Sequence, residues 1–151
     1  MYMMKQQGLF LPFKMKGIAK CVVSFFAVFL FANAVQAQIY ASCTHRDYYA
    51  YNEATEDFEY QNGYDENSLY KINSQWTMFD HTTPSISSSY YVSSSEYNEE
   101  ENVLVMNVVS DVGNKYLYSF DFGENKVRIL FNDGDGLQLI VFTVKKFWTE
   151  E

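Results

Sequence analysis

The chain has 151 residues, of which 19 are acidic and 11 basic, and its formal net charge at pH 7 is −8. A chain of this length forms one domain, or one domain with a leader, and not two. Its acidity excludes a nucleic-acid-binding protein or one held to an anionic membrane surface, because both need Lys and Arg to meet phosphate.

Residues 1–37 have the features of an export signal. Lys16 and Lys20 precede an apolar run from Val22 to Val35, and Val35-Gln36-Ala37 ends in the small residues that a signal peptidase recognises. The run of 14 residues is shorter than the roughly 20 that a membrane-spanning helix needs. We therefore expect residues 38–151 to be a secreted or periplasmic domain without a stable membrane span.

Some details of this leader stay open. Translation could begin at Met15, which would give a signal of normal length, and cleavage could follow Ala34 instead of Ala37. An uncleaved anchor is a third alternative. Lipid attachment at Cys43 is disfavoured, because Tyr40 stands where an aliphatic residue is expected.

Loss of the leader changes both the charge and the cysteine count. It removes four of the 11 basic residues and none of the 19 acidic ones, so the mature domain carries a formal charge of −12. Cys21 also leaves, and Cys43 stays alone. No internal disulfide can form, and the domain depends on packing alone.

The first half of the mature chain is rich in tyrosine and predicts strands unevenly. Ile39–Tyr51 is one long strand, or two with a bulge. Asn62-Gly63 and Asp65-Glu66-Asn67 are interpreted as turns. The serine-rich segment from Ser85 to Ser95 is an edge strand that begins near Pro84, or else a disordered linker. Shorter strands are predicted at Phe58–Gln61, Ser68–Asn73 and Trp76–His81.

The second half predicts an antiparallel meander. Connections of two to five residues, rich in Gly, Asn and Asp, divide it into pieces of strand length, and loops this short join antiparallel neighbours. The five predicted strands are Tyr90–Tyr97, Val103–Ser110, Lys115–Phe122, Lys126–Phe131 and Leu137–Val144.

Together these patterns predict an all-β fold of about eight to nine strands, as a small barrel, a strongly curled sheet or a sandwich. Val103–Val109 and Leu137–Val144 are apolar on both faces. Such strands are typical of the middle of a sandwich, or of a sheet under a covering element.

One face of a predicted strand is the most distinctive candidate surface. Alternation places Tyr116, Tyr118, Phe120 and Phe122 on the same side. This face is core if the sheet closes on it, and the need of a small domain to bury apolar area favours that interpretation. Otherwise it lines a ligand cavity or forms a contact surface.

Residues that carry chemistry are few. Cys43, His45 and Asp47 alternate and would share one face of an extended strand, but neighbours on that face lie nearly 7 Å apart. That spacing suits neither a metal site nor a Cys–His catalytic pair, unless His81 joins from another strand. Asp133-Gly134-Asp135-Gly136 is interpreted as a hairpin turn and not a calcium loop. We predict no catalytic residue, no metal site and no cofactor.

The function expected from these observations is that of an exported, non-enzymatic β-domain, a binding module that contacts another protein or a surface. The alternative is a carrier whose barrel cavity holds a small apolar or aromatic ligand. The sequence identifies neither the partner nor the ligand.

Overall fold

A computed structural model describes residues 37–150, which form eight antiparallel strands closed into one barrel in sequence order. This confirms the predicted all-β meander. The predicted signal helix falls in residues 1–36, outside the described residues. Within the described part no helix is long and apolar enough to cross a membrane. The strands are β1 Gln38–Asn52, β2 Asp57–Ile72, β3 Met78–Thr82, β4 Ser87–Asn98, β5 Val103–Ser110, β6 Lys115–Asp121, β7 Lys126–Asn132 and β8 Leu137–Glu150.

Side chains alternate between the interior of the barrel and its outer surface, as the two-residue period of a strand requires. On β5, Leu104, Met106 and Val108 are buried in the core, whereas Asn107 between them is exposed. Five of the fourteen residues in the buried core cluster are aromatic, and Tyr70 contacts four other aromatic side chains edge to face. The barrel is held together by this mixed aromatic and aliphatic interior.

The up-and-down order gathers the turns at two ends of the barrel. One end of the barrel holds the turns 53–56, 83–86, 111–114 and 133–136. The opposite end holds the remaining turns and both ends of the described chain. Asn102 and Asn125 adopt left-handed backbone conformations in two of those remaining turns, a conformation that asparagine tolerates better than most residues.

The prediction of two short strands and two turns between residues 58 and 73 is wrong. β2 runs unbroken through Asn62, Gly63 and Asp65, which pair with Tyr48, Asp47 and His45 of β1. Turn-forming residues are tolerated here because the strand is mostly exposed and its cross-strand side-chain pairs hold the register.

Neither strand that is apolar on both faces lies inside a sandwich. β5 and β8 are walls of the single barrel, and the outward-facing Val105 and Val109 on β5 are only half-buried. Apolar residues on an outer surface are common, because polar side chains cannot cover a whole protein.

A bulge also separates residues that strict alternation would place together. The β1–β2 register shifts between Cys43 and His45. Cys43 therefore lies in the core, whereas His45 bonds Asp47 and Asp65 on the outer face. The expectation that Cys43, His45 and Asp47 share one face is wrong for this reason.

Candidate functional site

The β1–β2 hairpin carries an unusual concentration of negative charge. Residues 47–66, which we call the acidic ribbon, contain seven acidic residues and no basic one. The turn 133–136 adds Asp133 and Asp135 at the same end of the barrel, since Gln138 pairs with Ala50 of the ribbon. The seven acidic residues of the ribbon are Asp47, Glu53, Glu56, Asp57, Glu59, Asp65 and Glu66.

The same ribbon carries six aromatic side chains, all of which pair across the two strands. The ring centroids lie 5.6 Å apart for Tyr49–Tyr60, 5.4 Å for Tyr51–Phe58 and 6.0 Å for Tyr48–Tyr64. Such cross-strand pairs stabilise a ladder. The exposed fraction is 59% for Tyr60 and 44% for Tyr64, so these two tyrosines also offer free ring surface to a partner.

Arg46 fixes the base of the ribbon to the barrel. Its Nη2 donates to the Glu66 carboxylate, and its guanidinium carbon lies 4.8 Å from the ring centroid of Tyr64 and 5.6 Å from that of Phe142. A guanidinium can satisfy a carboxylate and ring faces together. The guanidinium of Arg46 is therefore already paired with a carboxylate of the ribbon.

His45 is held between two carboxylates on the outer face. Nδ1 lies 2.6 Å from the Asp65 carboxylate and Nε2 lies 3.1 Å from the Asp47 carboxylate, and the ring donates to both when it is protonated. The hydrogen bond to Asp65, and to a smaller extent the one to Asp47, raises the pKa of His45. Gly63 makes the arrangement possible, because a Cβ there would meet the Asp47 carboxylate and lie 3.0 Å from the Arg46 carbonyl oxygen. Because each ring nitrogen lies within hydrogen-bond distance of a carboxylate, neither nitrogen is free for another partner.

One edge of the ribbon is unpaired within residues 37–150. β3 pairs with β2 at residues 69–72, so from residue 57 to residue 68 β1 is the only neighbour of β2 among the described strands. β3 ends at Thr82, and Pro84 follows, which lacks the N–H that a further ladder bond would need. The backbone groups on this side of β2 face outward without a strand partner.

The four residues of the predicted aromatic face lie inside the barrel. Tyr118 and Phe120 are 1% and 0% exposed, and Tyr116 and Phe122 are half-buried against the core. Ring contacts join Tyr118 and Phe120 to β3, where the Phe79 centroid lies 4.8 Å from that of Tyr118 and 5.6 Å from that of Phe120. The face therefore packs as core. Binding of a ligand beside it stays a prediction.

A group of polar side chains that we did not predict is buried near the aromatic core. Ser68 Oγ, Tyr70 OH and His81 Nε2 are buried without a protein hydrogen-bond partner. His81 stacks on Tyr70 at 4.1 Å. Burial, and to a smaller extent the positive charge of Arg46, lowers the pKa of His81 to about 4. The sequence signal was the alternation of Ser68, Tyr70 and Ile72, which places a serine on the core face.

Cys43 belongs to the same interior but does not form a reactive pair. Burial raises the pKa of its thiol to about 12, and the neighbouring Ser68 hydroxyl opposes this rise only in part. No hydrogen bond joins Cys43 to His81 within residues 37–150. A thiol with this raised pKa stays protonated at neutral pH and lacks the thiolate that a nucleophile or soft-metal ligand needs.

Other candidate groups also have ordinary roles. The side chains of Asn132 and Asp133 accept backbone hydrogen bonds from Gly134, Asp135 and Gly136 and so close the β7–β8 turn. In the described part of the chain no three His, Cys, Asp or Glu side chains are grouped to hold a metal ion.

Comparisons with protein-family models, with curated proteins and with solved structures find no match. The functional argument therefore depends on the acidic ribbon and the barrel interior themselves.

Proposed function

We propose that this chain is an exported, non-enzymatic β-barrel domain whose acidic ribbon binds a cationic segment of another protein. We infer export from the leader in residues 1–37. An exported domain would act in the periplasm or outside the cell. The observation that carries the binding proposal is the coincidence of seven carboxylates and six aromatic rings in twenty residues without a basic residue.

The charge of the ribbon supports a cationic partner. Most of the charge expected for the mature domain lies in residues 47–66, and Arg46 neutralises only Glu66 directly. A surface of one sign steers oppositely charged partners and raises their association rate. It also repels acidic surfaces, which include other copies of this domain.

The exposed tyrosines support a protein surface as the partner. Tyrosine combines a large apolar ring with a hydroxyl and is enriched at protein interfaces. Lys and Arg side chains bind over such rings, with about 0.5–1 kcal/mol at exposed sites. Tyr64 lies on the same face of the ribbon as Glu59, and Tyr60 lies on the same face as Asp65, so each face offers a basic segment both a carboxylate and an exposed ring.

A binding role without catalysis is supported by the state of the two groups that could react. The Cys43 thiol stays protonated at neutral pH, and both nitrogens of His45 are engaged.

Fluorescence anisotropy with a labelled peptide that alternates Lys and Thr tests this proposal. The variant Asp57→Asn/Glu59→Gln removes two ribbon charges, and Glu99→Gln/Glu100→Gln removes two from a turn at the opposite end. At about 0.5 kcal/mol for each exposed ion pair, we expect the ribbon variant to bind about fivefold more weakly and the matched control to bind as wild type.

Two results would count against the proposal. Equal weakening in both variants would mean that only total charge matters, and no binding at low salt would remove the cationic partner altogether. The affinity of wild type should also fall as salt rises, since screening weakens exposed charge pairs.

The carrier function stays a prediction. Native mass spectrometry of the purified protein tests it, and a homogeneous ligand-free mass together with no thermal shift across a lipid panel would contradict it.

A further inference from the structure

We infer that the unpaired edge of β2 receives the cationic segment as an added β-strand. This inference rests on the proposed function and extends it from an attraction between surfaces to a defined mode of binding. In strand addition, backbone hydrogen bonds supply affinity and alternate side chains supply specificity.

The edge is long enough for this mode. Residues 57–68 span roughly 40 Å at about 3.3 Å per residue. The register shift between Tyr48 and Tyr49 leaves Gln61 outside the β1 ladder, so Asp57–Tyr60 and Asn62–Asp65 are the two regular stretches. Each stretch has β1 on one side and no strand on the other among residues 37–150. A partner strand of four or so residues fits either stretch.

Among residues 37–150, the segment after β3 does not continue the sheet along this edge. After Thr82 the chain turns, with the Thr83 N–H donating to the Ile86 carbonyl at 2.8 Å, and β4 then pairs back on β3. Continuing the register would place Thr83 opposite Ser68 and Pro84 opposite Asn67, and proline has no N–H to donate. No strand from residues 37–150 therefore takes the position beside this part of β2.

Charge decides between the two kinds of strand that could occupy this edge. A second copy would bring a strand with the same carboxylates to this edge, and like charges across a ladder destabilise it. A strand with Lys or Arg at alternate positions instead presents its cations to one face of β2. That face carries either Asp57, Glu59 and Tyr64 or Tyr60 and Asp65. The partner is thus an extended basic segment of a different protein.

Backbone methylation of the probe peptide tests strand addition directly. In an extended peptide that alternates Lys and Thr, the N–H groups of the two residue types point to opposite edges. We would compare the unmodified peptide with one N-methylated at every Lys and one N-methylated at every Thr. Strand addition predicts that one pattern weakens binding about tenfold or more, because several hydrogen bonds are lost, while the other has little effect.

Amide hydrogen exchange supplies the second measurement. Binding of the unmodified peptide should slow amide exchange at residues 57–68. Residues 93–98 of β4 serve as the matched control, because this part of β4 borders β5 and has no β3 partner beyond Tyr91. Amide exchange in this control segment should be unchanged. Sedimentation of the protein alone should give a monomer. A dimer would assign the edge to a second copy and overturn the inference.

The remaining outcomes separate this inference from the proposed function. The two methylated peptides could bind as well as the unmodified one, or they could lose affinity equally. If amide exchange is also unchanged in either case, strand addition is wrong while cationic binding stands. If no cationic peptide binds, the proposed function fails and strand addition fails with it.

Discussion

His81 makes the barrel sensitive to acid, and the size of this effect follows from its burial. The pKa of His81 lies at about 4 in the folded protein, against 6.5 for an unperturbed histidine. As pH falls, the unfolded chain therefore takes up the proton first. The stability contributed by the neutral ring is fully present above about pH 6.5, is lost between pH 6.5 and 4, and amounts to about 3 kcal/mol.

The substitution His81→Phe removes this titration and keeps an aromatic ring stacked on Tyr70. Urea unfolding at pH 7 and pH 5, followed by circular dichroism, measures the effect. We expect the free energy of unfolding to fall by about 2 kcal/mol more in wild type than in the variant between these two pH values. Equal falls in both proteins would show that His81 is not buried in its neutral form.

His45 provides a control of opposite sign. Hydrogen bonds to Asp65 and Asp47 raise its pKa, so the stability it contributes is present below pH 6.5 and is lost as pH rises through its folded pKa. In His45→Asn the fall in stability from pH 7 to pH 5 should be steeper than in wild type, whereas in His81→Phe it should be shallower.

Two further predictions test the core and the ribbon. Phe120→Ala empties a fully buried position beside Tyr70 and Phe79 and should cost about 3–5 kcal/mol in urea unfolding; a loss below about 1 kcal/mol would contradict close packing there. Gly63→Ala brings a Cβ against the Asp47 carboxylate and should lower the free energy of unfolding by about 1–3 kcal/mol. The double variant Gly63→Ala/Asp47→Ala should recover part of this loss. No recovery would mean that the strain arises at the backbone instead.

The second half of the barrel could be predicted because its turns are short and chemically distinct. The strand Val103–Ser110 was predicted with both of its ends as observed. Leu137–Val144 was predicted too short, since Lys145 and Lys146 resemble the end of a strand. They continue β8 because β1 is long enough to pair with it as far as Glu150.

The first half was harder to predict because register, and not local preference, decides its structure. Asn62-Gly63 and Asp65 favour turns in isolation, but the pairing of Tyr48 with Tyr64 and of Arg46 with Glu66 crosses the hairpin between residues far apart in sequence. Bulges set which side chains meet, and no short-range pattern reveals their positions. The composition of residues 47–66, acidic and aromatic without a base, was nevertheless visible in the sequence.

The acidic ribbon is rich in strand-forming aromatic residues, and one of its edges has no strand partner within residues 37–150. An exposed edge of this kind invites self-association, and proteins commonly protect it with charge. Here the charge is of one sign, so copies of the domain repel each other at the edge, while a basic strand is attracted to it. The carboxylates of Asp57, Glu59 and Asp65 would then both prevent aggregation and select the partner, which predicts that neutralising them weakens binding and promotes self-association in the same variant.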